Sequence, residues 1–416
     1  MDESTDVVII GGGQAGLATS HELTRAGVEH LVLERGRIGE TWSGRWANFC
    51  LVTPNWSVRL PGHPYDGDDP DGFMPRDDIV AYLQRYADGF SAPIREGIEV
   101  TSLRQTTDDA FLLRTSDGDI RAKSVVVATG AYQRPHRPQG ARTLPAEIPQ
   151  IDVGDYNAPT ELPPGGVLVV GSGQSGCQIA EELLESGRDV FLSCGRAPWS
   201  PRRIGEHDLL WWALETGFMD QTVDQLPAPA ARLAANILAT GHGGGHDLHL
   251  RTLRDAGVTL LGHFLGAEGR RARFADDLGE SVAWGDDRFR DLMGLVRKLV
   301  AERGLPTPSI PEPGAFKGEA PEDLDLAGIG VVIFAGGFRP DYSSWVHVTG
   351  AFDDLGFSIH ADGASTAAPG LYFVGEHFLR TRKSSLLCGV GEDAAVVAGH
   401  IGSARGLRPV QASSEA

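Results

Sequence analysis

Asp6-Val7-Val8-Ile9-Ile10-Gly11-Gly12-Gly13-Gln14-Ala15-Gly16 is the stretch from which the rest of the chain is read. A short apolar run ends in a glycine turn, residues 17–25 follow with helix-like spacing, and residues 28–33 form a second apolar run closed by Glu34. Strand, turn, helix, strand is the order that binds a dinucleotide. Gly11 permits the tight turn, Gly13 lets the backbone approach a pyrophosphate, and Gly16 lets the helix pack on the strand. Gln14 and Ala15 lie within the turn, and the helix that follows points its positive end at the phosphates. Glu34, with Arg35 beside it, stands near the spacing of about 20 residues at which a carboxylate accepts hydrogen bonds from an adenosine ribose. A ribose 2′-phosphate would be repelled there, so the turn suits FAD or NAD.

From Gly165 the pattern repeats. Residues 167–170 are an apolar strand, Gly171-Ser172-Gly173-Gln174-Ser175-Gly176 the turn, residues 177–186 a helix and residues 189–193 a second strand. Two such units in one chain are a far stronger signal than one. The second unit ends in Ser193-Cys194-Gly195-Arg196 with no acid, and Arg202-Arg203 follow. Arg196 takes the place that Glu34 holds in the first unit, where a guanidinium pairs with a 2′-phosphate. NADPH is therefore expected at the second turn and FAD at the first; the competing reading makes these arginines surface charges and the nucleotide NADH.

The expected fold class is α/β, with two Rossmann-like dinucleotide-binding domains and the NADPH domain inserted into a discontinuous FAD domain. Residues 1–160 and 320–416 are assigned to FAD and 161–319 to NADPH, with a partly helical insertion at about 205–250. A chain of 416 residues can bury more than one core. Its formal net charge of −19 would repel nucleic acid and anionic membrane surfaces, so neither is an expected partner. No apolar run approaches the roughly 20 residues that cross a bilayer. The acidic start Met1-Asp2-Glu3-Ser4 runs straight into a strand and does not read as a signal peptide. Cys50, Cys177, Cys194 and Cys388 are far apart and form no CxxC. That suits a reducing cytoplasm and excludes the dithiol chemistry this type of fold sometimes carries.

Between the repeats, Gly39-Glu40-Thr41-Trp42 with Arg45-Trp46 and the run from Cys50 to Trp56 are too rich in aromatics for a plain surface loop. An aromatic wall beside a bound ring is expected, against a satellite core under a long connection. The stretch from Asp66 to Asp71 lacks the bidentate glutamate of a calcium loop and reads as a solvated turn. Residues 76–87 have helical apolar spacing. Residues 98–124 read as a small antiparallel meander that runs into Val125-Val126-Val127-Ala128-Thr129-Gly130, a strand whose small-residue end leaves room for a flat cofactor. Prolines from 135 to 164 mark a linker, and those from 306 to 313 a second one.

In the second half, His242, His246 and His249 sit around a glycine loop too pliant to organise a metal, and no metal site is expected. Residues 258–261 resume the second sheet, residues 283–285 read as a turn or short strand, and residues 292–303 as a helix. The apolar run 330–334 ending in Ala335-Gly336-Gly337 is expected to return the chain to the first domain, where Gly337 would face the cofactor. Gly375 and Glu376 end another strand, with Glu376 placed for the ribityl hydroxyls of FAD. A helix from about residue 390 would aim its positive end at the flavin. Arg380, Arg382 and Lys383 read either as ligands for a carboxylate or NADPH, or as a solvated turn.

Taken together, the two glycine motifs, residues 39–46, Ala128-Thr129-Gly130, residues 335–338 and residues 370–394 resemble the class B flavin-dependent monooxygenases, the family of the flavin-containing monooxygenases, the YUCCA-type enzymes and their bacterial relatives. The resemblance spans almost the whole chain. It implies that NADPH reduces FAD, that oxygen adds to give a peroxyflavin, and that one oxygen atom passes to a small organic substrate. N-hydroxylation is expected first, with S-oxidation or oxidative decarboxylation as variants. The resemblance also implies a supporting catalytic role for Asn55 and a cofactor contact at Leu387. The family's linker motif FxGxxxH is degraded: Ala146, Ile148 and Asp152 stand for Phe, Gly and His, and only the aromatic Tyr156 remains. Two other readings stay open, an NADPH-dependent flavin oxidoreductase that passes electrons to a separate acceptor and a non-catalytic flavin-binding redox sensor. The expected partners are the substrate and molecular oxygen, and a homodimer is entertained.

Overall fold

The computed structural model describes residues 3–316 and 320–406. Met1 and Asp2, which contribute to the leader reading, lie outside these residues, as do the chain's last ten.

Residues 7–10 are buried on both faces of their strand, so the sheet around them is parallel and covered on both sides. The first sheet runs Val346–His347, Val100–Gln105, Phe111–Thr115, Gly118–Val127, Glu3–Ile10, Leu31–Glu34 and Ile94–Glu96, with Leu371–Phe373 also paired to Gly118–Val127. The ten-residue strand Gly118–Val127 does two jobs: its start pairs antiparallel with Phe111–Thr115, closing the expected meander, and its end pairs parallel with Leu371–Phe373. The meander and the buried strand are thus one continuous element.

The second sheet is parallel throughout, in the order Gln150–Asp152, Ile329–Phe334, Gly166–Val170, Val190–Ser193, Thr259–Leu261. This corrects the expected course of the chain in two places. The strand Ile329–Phe334 belongs to the second sheet, between the glycine strand and Gln150–Asp152, and does not yet return to the first. The proline-rich segment is more than a linker, because Gln150–Asp152 forms that sheet's edge. Arg134–Pro135 then pairs with Phe338–Arg339, so the chain crosses between the sheets twice, side by side.

The Gln14–Arg25, Arg76–Gly89 and Val390–Ala404 helices pack together over the first sheet. Residues 283–285 are not a turn but the interior of a helix, Leu278–Arg303. Val282, Phe289, Leu292, Met293 and Val296 give it a buried face, and Gly285 is where the helix presses closest to its neighbour: a Cβ there would lie 2.8 Å from the Ala197 carbonyl oxygen. Residues 205–250 are mostly short turns, with one helix, Leu209–Glu215. No helix among the described residues is long and apolar enough to cross a membrane.

Candidate active site between two glycine turns

The two glycine turns have the same geometry. Gly11 and Gly171 take φ of +115° and +114°, a region costly for any residue with a Cβ. A Cβ on either would lie 2.5 Å from a carbonyl oxygen, that of Ala128 or of Ala335. A Cβ on Gly16 would lie 1.8 Å from the Gly11 oxygen, and one on Gly176 1.9 Å from the Gly171 oxygen. Gly13 is different: nothing lies within 4 Å of its missing Cβ, so the helix N-terminus opens onto free space. Gly130 and Gly337 match as well, at +80° and +81°. Ala335 to Gly337 therefore stand against the second turn as Ala128 to Gly130 stand against the first.

A cleft of about 600 Å3 joins the two regions. Gln14, Trp42, Arg45 and Leu387 line it from the first domain's side; Gly171, Gly173, Gln174, Ser175, Ser193, Arg196, Arg202 and Gly337 line it from the second. Trp42 Nε1 donates to Gln14 Oε1 (3.0 Å), and Gln14 Nε2 donates to the Ser385 oxygen (3.1 Å), which ties the first turn to the loop before the last helix. Gly375, at φ +82°, lets that loop approach Ala15: a Cβ would lie 2.5 Å from the Ala15 Cβ. Arg45 reaches over the Tyr132 ring at 4.9 Å. Of the expected aromatic wall, Trp42 lines the cleft, joined there by Phe49. Trp46 is core, packed edge-on against Phe49, and Trp56 supports a small cluster around Met219.

Glu34 is buried at the end of its strand and accepts from the Gly12 N–H (2.6 Å) and the Gly36 N–H (2.8 Å), which holds the carboxylate against the glycine turn. Arg35 and Thr41 are exposed. Thr129 Oγ1 accepts from Gln133.

At the second turn the three arginines separate. Arg196 lines the cleft and a smaller recess with His263, Asp277 and Glu280, and has no hydrogen bond or ion pair among the described residues. Arg202 is buried, paired with Asp208 (2.6 Å), bonded to the Val52 oxygen (2.7 Å) and stacked over Phe73. It holds residues 52–73 against the second domain while also lining the cleft. Arg203 is exposed and donates to the Glu206 oxygen. The Ser193 hydroxyl donates to the Gly262 oxygen (2.9 Å), and the Gln174 amide is engaged at both ends with the Ala239 backbone.

Two further expected site residues are hydrogen-bonded within the protein. Asn55 Nδ2 donates to the Asp69 oxygen (2.9 Å) and its Oδ1 accepts from the Met74 N–H (2.7 Å), so the buried amide staples its own loop and lines no part of the cleft. Glu376 accepts from Ser358 through both the hydroxyl (2.7 Å) and the backbone N–H (3.1 Å) and does not line the cleft. Burial pushes its carboxyl up to about 7.

Sequence reasoning passed over Tyr132 and His377, both of which line the cleft. Burial holds His377 down at about 4, hence neutral at neutral pH, with Nδ1 3.0 Å from the Ser385 hydroxyl. Its place beside Glu376 at the end of a strand was the available signal. His242 and His246 face Glu185 and Glu181, while His249 packs on Trp199.

These residues fit two dinucleotides: two turns closed to any Cβ, an open helix N-terminus at Gly13, and, at the second turn, an arginine without a hydrogen bond or ion pair among the described residues.

Residues 8–208 match the family model of "Pyridine nucleotide-disulphide oxidoreductase". A Geobacillus kaustophilus protein named "Uncharacterized oxidoreductase CzcO-like" is 32% identical over 95% of this chain and 97% of its own. Mouse "Flavin-containing monooxygenase 1" is 28% identical over 54% of this chain and 46% of its own. Among solved structures, "Flavin-containing monooxygenase from Stenotrophomonas maltophilia" superposes with a TM-score of 0.68 at 19% identity, covering 97% of this chain and 100% of that one.

Proposed function

We propose that this chain, which belongs to the family of the CzcO-like oxidoreductases, is a class B flavin-dependent monooxygenase that uses FAD and NADPH and oxidises a small organic substrate at a soft nucleophilic atom, nitrogen before sulfur. The single observation that carries the reading is the cleft itself, which runs from Gln14 at the first glycine turn to Gly171, Gly173 and the unpaired Arg196 at the second.

Bound FAD, once reduced by NADPH, supplies the electrons and the activation of oxygen. The chain's own residues bind and exclude. The open N-terminus at Gly13 receives the FAD pyrophosphate and Glu34 its ribose, while the Gly171 turn and Arg196 take NADPH. Trp42 and Phe49 give this side of the cleft an apolar wall that disfavours water. His377, held neutral by burial, adds no charge to that space. Four cysteines that are free among the described residues suit a cytoplasmic setting. We assign the first sheet and its helices to FAD and the second sheet, including Gln150–Asp152 and Ile329–Phe334, to NADPH.

The test is turnover of the FAD-loaded protein with NADPH and isotope-labelled dioxygen, using a panel of amines and thioethers. One labelled oxygen atom in an amine product supports the reading. NADPH consumption that yields only hydrogen peroxide across the panel overturns it in favour of an electron-passing reductase.

A further inference from the structure

Five arginines line the cleft: Arg45, Arg196, Arg202, Arg232 and Arg382. Two are neutralised within the protein, Arg202 by Asp208 and Arg232 by Asp353, each at 2.6 Å. The other three have no carboxylate partner among the described residues. Arg196 stands at the second glycine unit, and Arg45 follows the short helix that Trp42 ties to Gln14. Nucleotide phosphates account for a cation at each of these places. Arg382 is left over.

Its surroundings are built. The guanidinium lies between the Phe218 and Phe378 rings, at 4.3 and 4.8 Å from their centroids. One Nη donates to Gln221 Oε1 (2.6 Å), and the Arg382 backbone N–H donates to the Gln221 oxygen (2.9 Å). Nε is buried with no acceptor. Burial without a facing carboxylate lowers the group to about 10, and the neighbouring acid Asp220 is taken by Lys383. Phe378 holds φ at +55°, one of four non-glycine residues with positive φ among the described ones. Such strain is kept where a side chain must be aimed. The adjoining wall of the cleft is apolar: Leu210, Ala213, Met219 and Leu386.

A desolvated guanidinium without a counter-charge costs stability unless an anion completes it. Its planar donor fork matches a carboxylate. We propose that Arg382 anchors the carboxylate of the substrate, so that this enzyme acts on organic acids with an apolar body lying along Leu210, Ala213 and Met219. The inference rests on reading the cleft as the substrate site of a monooxygenase and names the substrate class.

Equilibrium binding tests it without turnover. Phenylpropionate, phenylpropanol and phenylpropylamine are titrated into the FAD-loaded protein by calorimetry. The acid is expected to bind about tenfold or more tightly than the alcohol, as one charge-assisted contact would give. Arg382→Gln is expected to abolish that preference and leave alcohol binding in place, and Arg382→Lys to keep part of it. Equal binding of acid and alcohol, tightest binding of the amine, no binding of the acid at millimolar concentration, or an intact preference in Arg382→Gln each overturns the proposal. Should Arg382→Gln not fold, the wild-type comparison of acid with alcohol decides alone. Arg382-dependent acid binding without any labelled product would uphold this inference while the monooxygenase reading failed.

Discussion

The carbonyl oxygen of Gly11 occupies the space that a side chain on Gly16 would need: a Cβ at residue 16 would stand 1.8 Å away. Gly171 and Gly176 repeat the relationship at 1.9 Å. Backbone cannot yield as a flexible side chain does, so Gly16→Ala must push helix and strand apart, at a cost of about 1–3 kcal/mol. Gly16→Ala is expected to purify with little FAD. Gly176→Ala is expected to keep FAD yet be reduced at least about tenfold more slowly by NADPH, a loss near 1.4 kcal/mol. Flavin absorbance of the purified variants and anaerobic stopped-flow reduction distinguish the two.

Arg196 and Arg203 are both near the second strand's end in sequence, but only Arg196 lines the cleft. Arg196→Gln is expected to raise KM for NADPH about 10- to 100-fold, the worth of one charge-assisted contact, and to leave KM for NADH nearly unchanged. Arg203→Gln should alter neither. Steady-state kinetics with both nucleotides checks this, and equal effects of the two substitutions would remove Arg196 from the nucleotide site.

Arg202 and Asp208 are both buried, and Arg202 also reaches across to the Val52 oxygen. Asp208→Asn leaves a buried guanidinium without its counter-charge, for which about 3–5 kcal/mol of destabilisation is expected. The loss should show as a lower urea midpoint and as faster proteolysis between residues 52 and 73. Catalytic constants measured below the transition should change little.

The Glu376 carboxyl titrates near 7 in the folded protein because burial opposes its charge. The unfolded chain loses that proton near the ordinary carboxylate value, so the folded state binds it more tightly in between. This contribution to stability is fully present below the unfolded value and is lost as pH rises through about 7. Glu376→Gln keeps partners for Ser358 without the ionisation. The variant is therefore expected to gain on the wild type as pH rises from 5 to 8, by on the order of 2 kcal/mol. Melting temperatures across that range read the difference, and parallel curves would show that Glu376 does not titrate there.

Both glycine turns were legible from sequence because their requirement is local. Gly11, Gly16, Gly171 and Gly176 are dictated by contacts within a few residues or with the adjoining strand, and apolar runs with helical segments flank each at fixed spacing. The helices Gln14–Arg25, Arg76–Gly89 and Val390–Ala404 were legible for the same reason. Short-range order and a buried face suffice to specify them.

Tertiary structure alone decided which sheet receives an apolar run and where a polar side chain turns. Residues 329–334 look like any buried parallel strand, and only pairing with Gly166–Val170 and Gln150–Asp152 assigns them to the second sheet. Asn55, Arg202 and Glu376 have side chains suited to a ligand, but Asp69 and Met74, Asp208, and Ser358 claim them first. Whether a charge is spent inside the protein or left for a ligand depends on what folding brings within about 3 Å of it. Sequence therefore determined the two turns, whereas the fold decided that Arg202 would be neutralised and Arg382 would not.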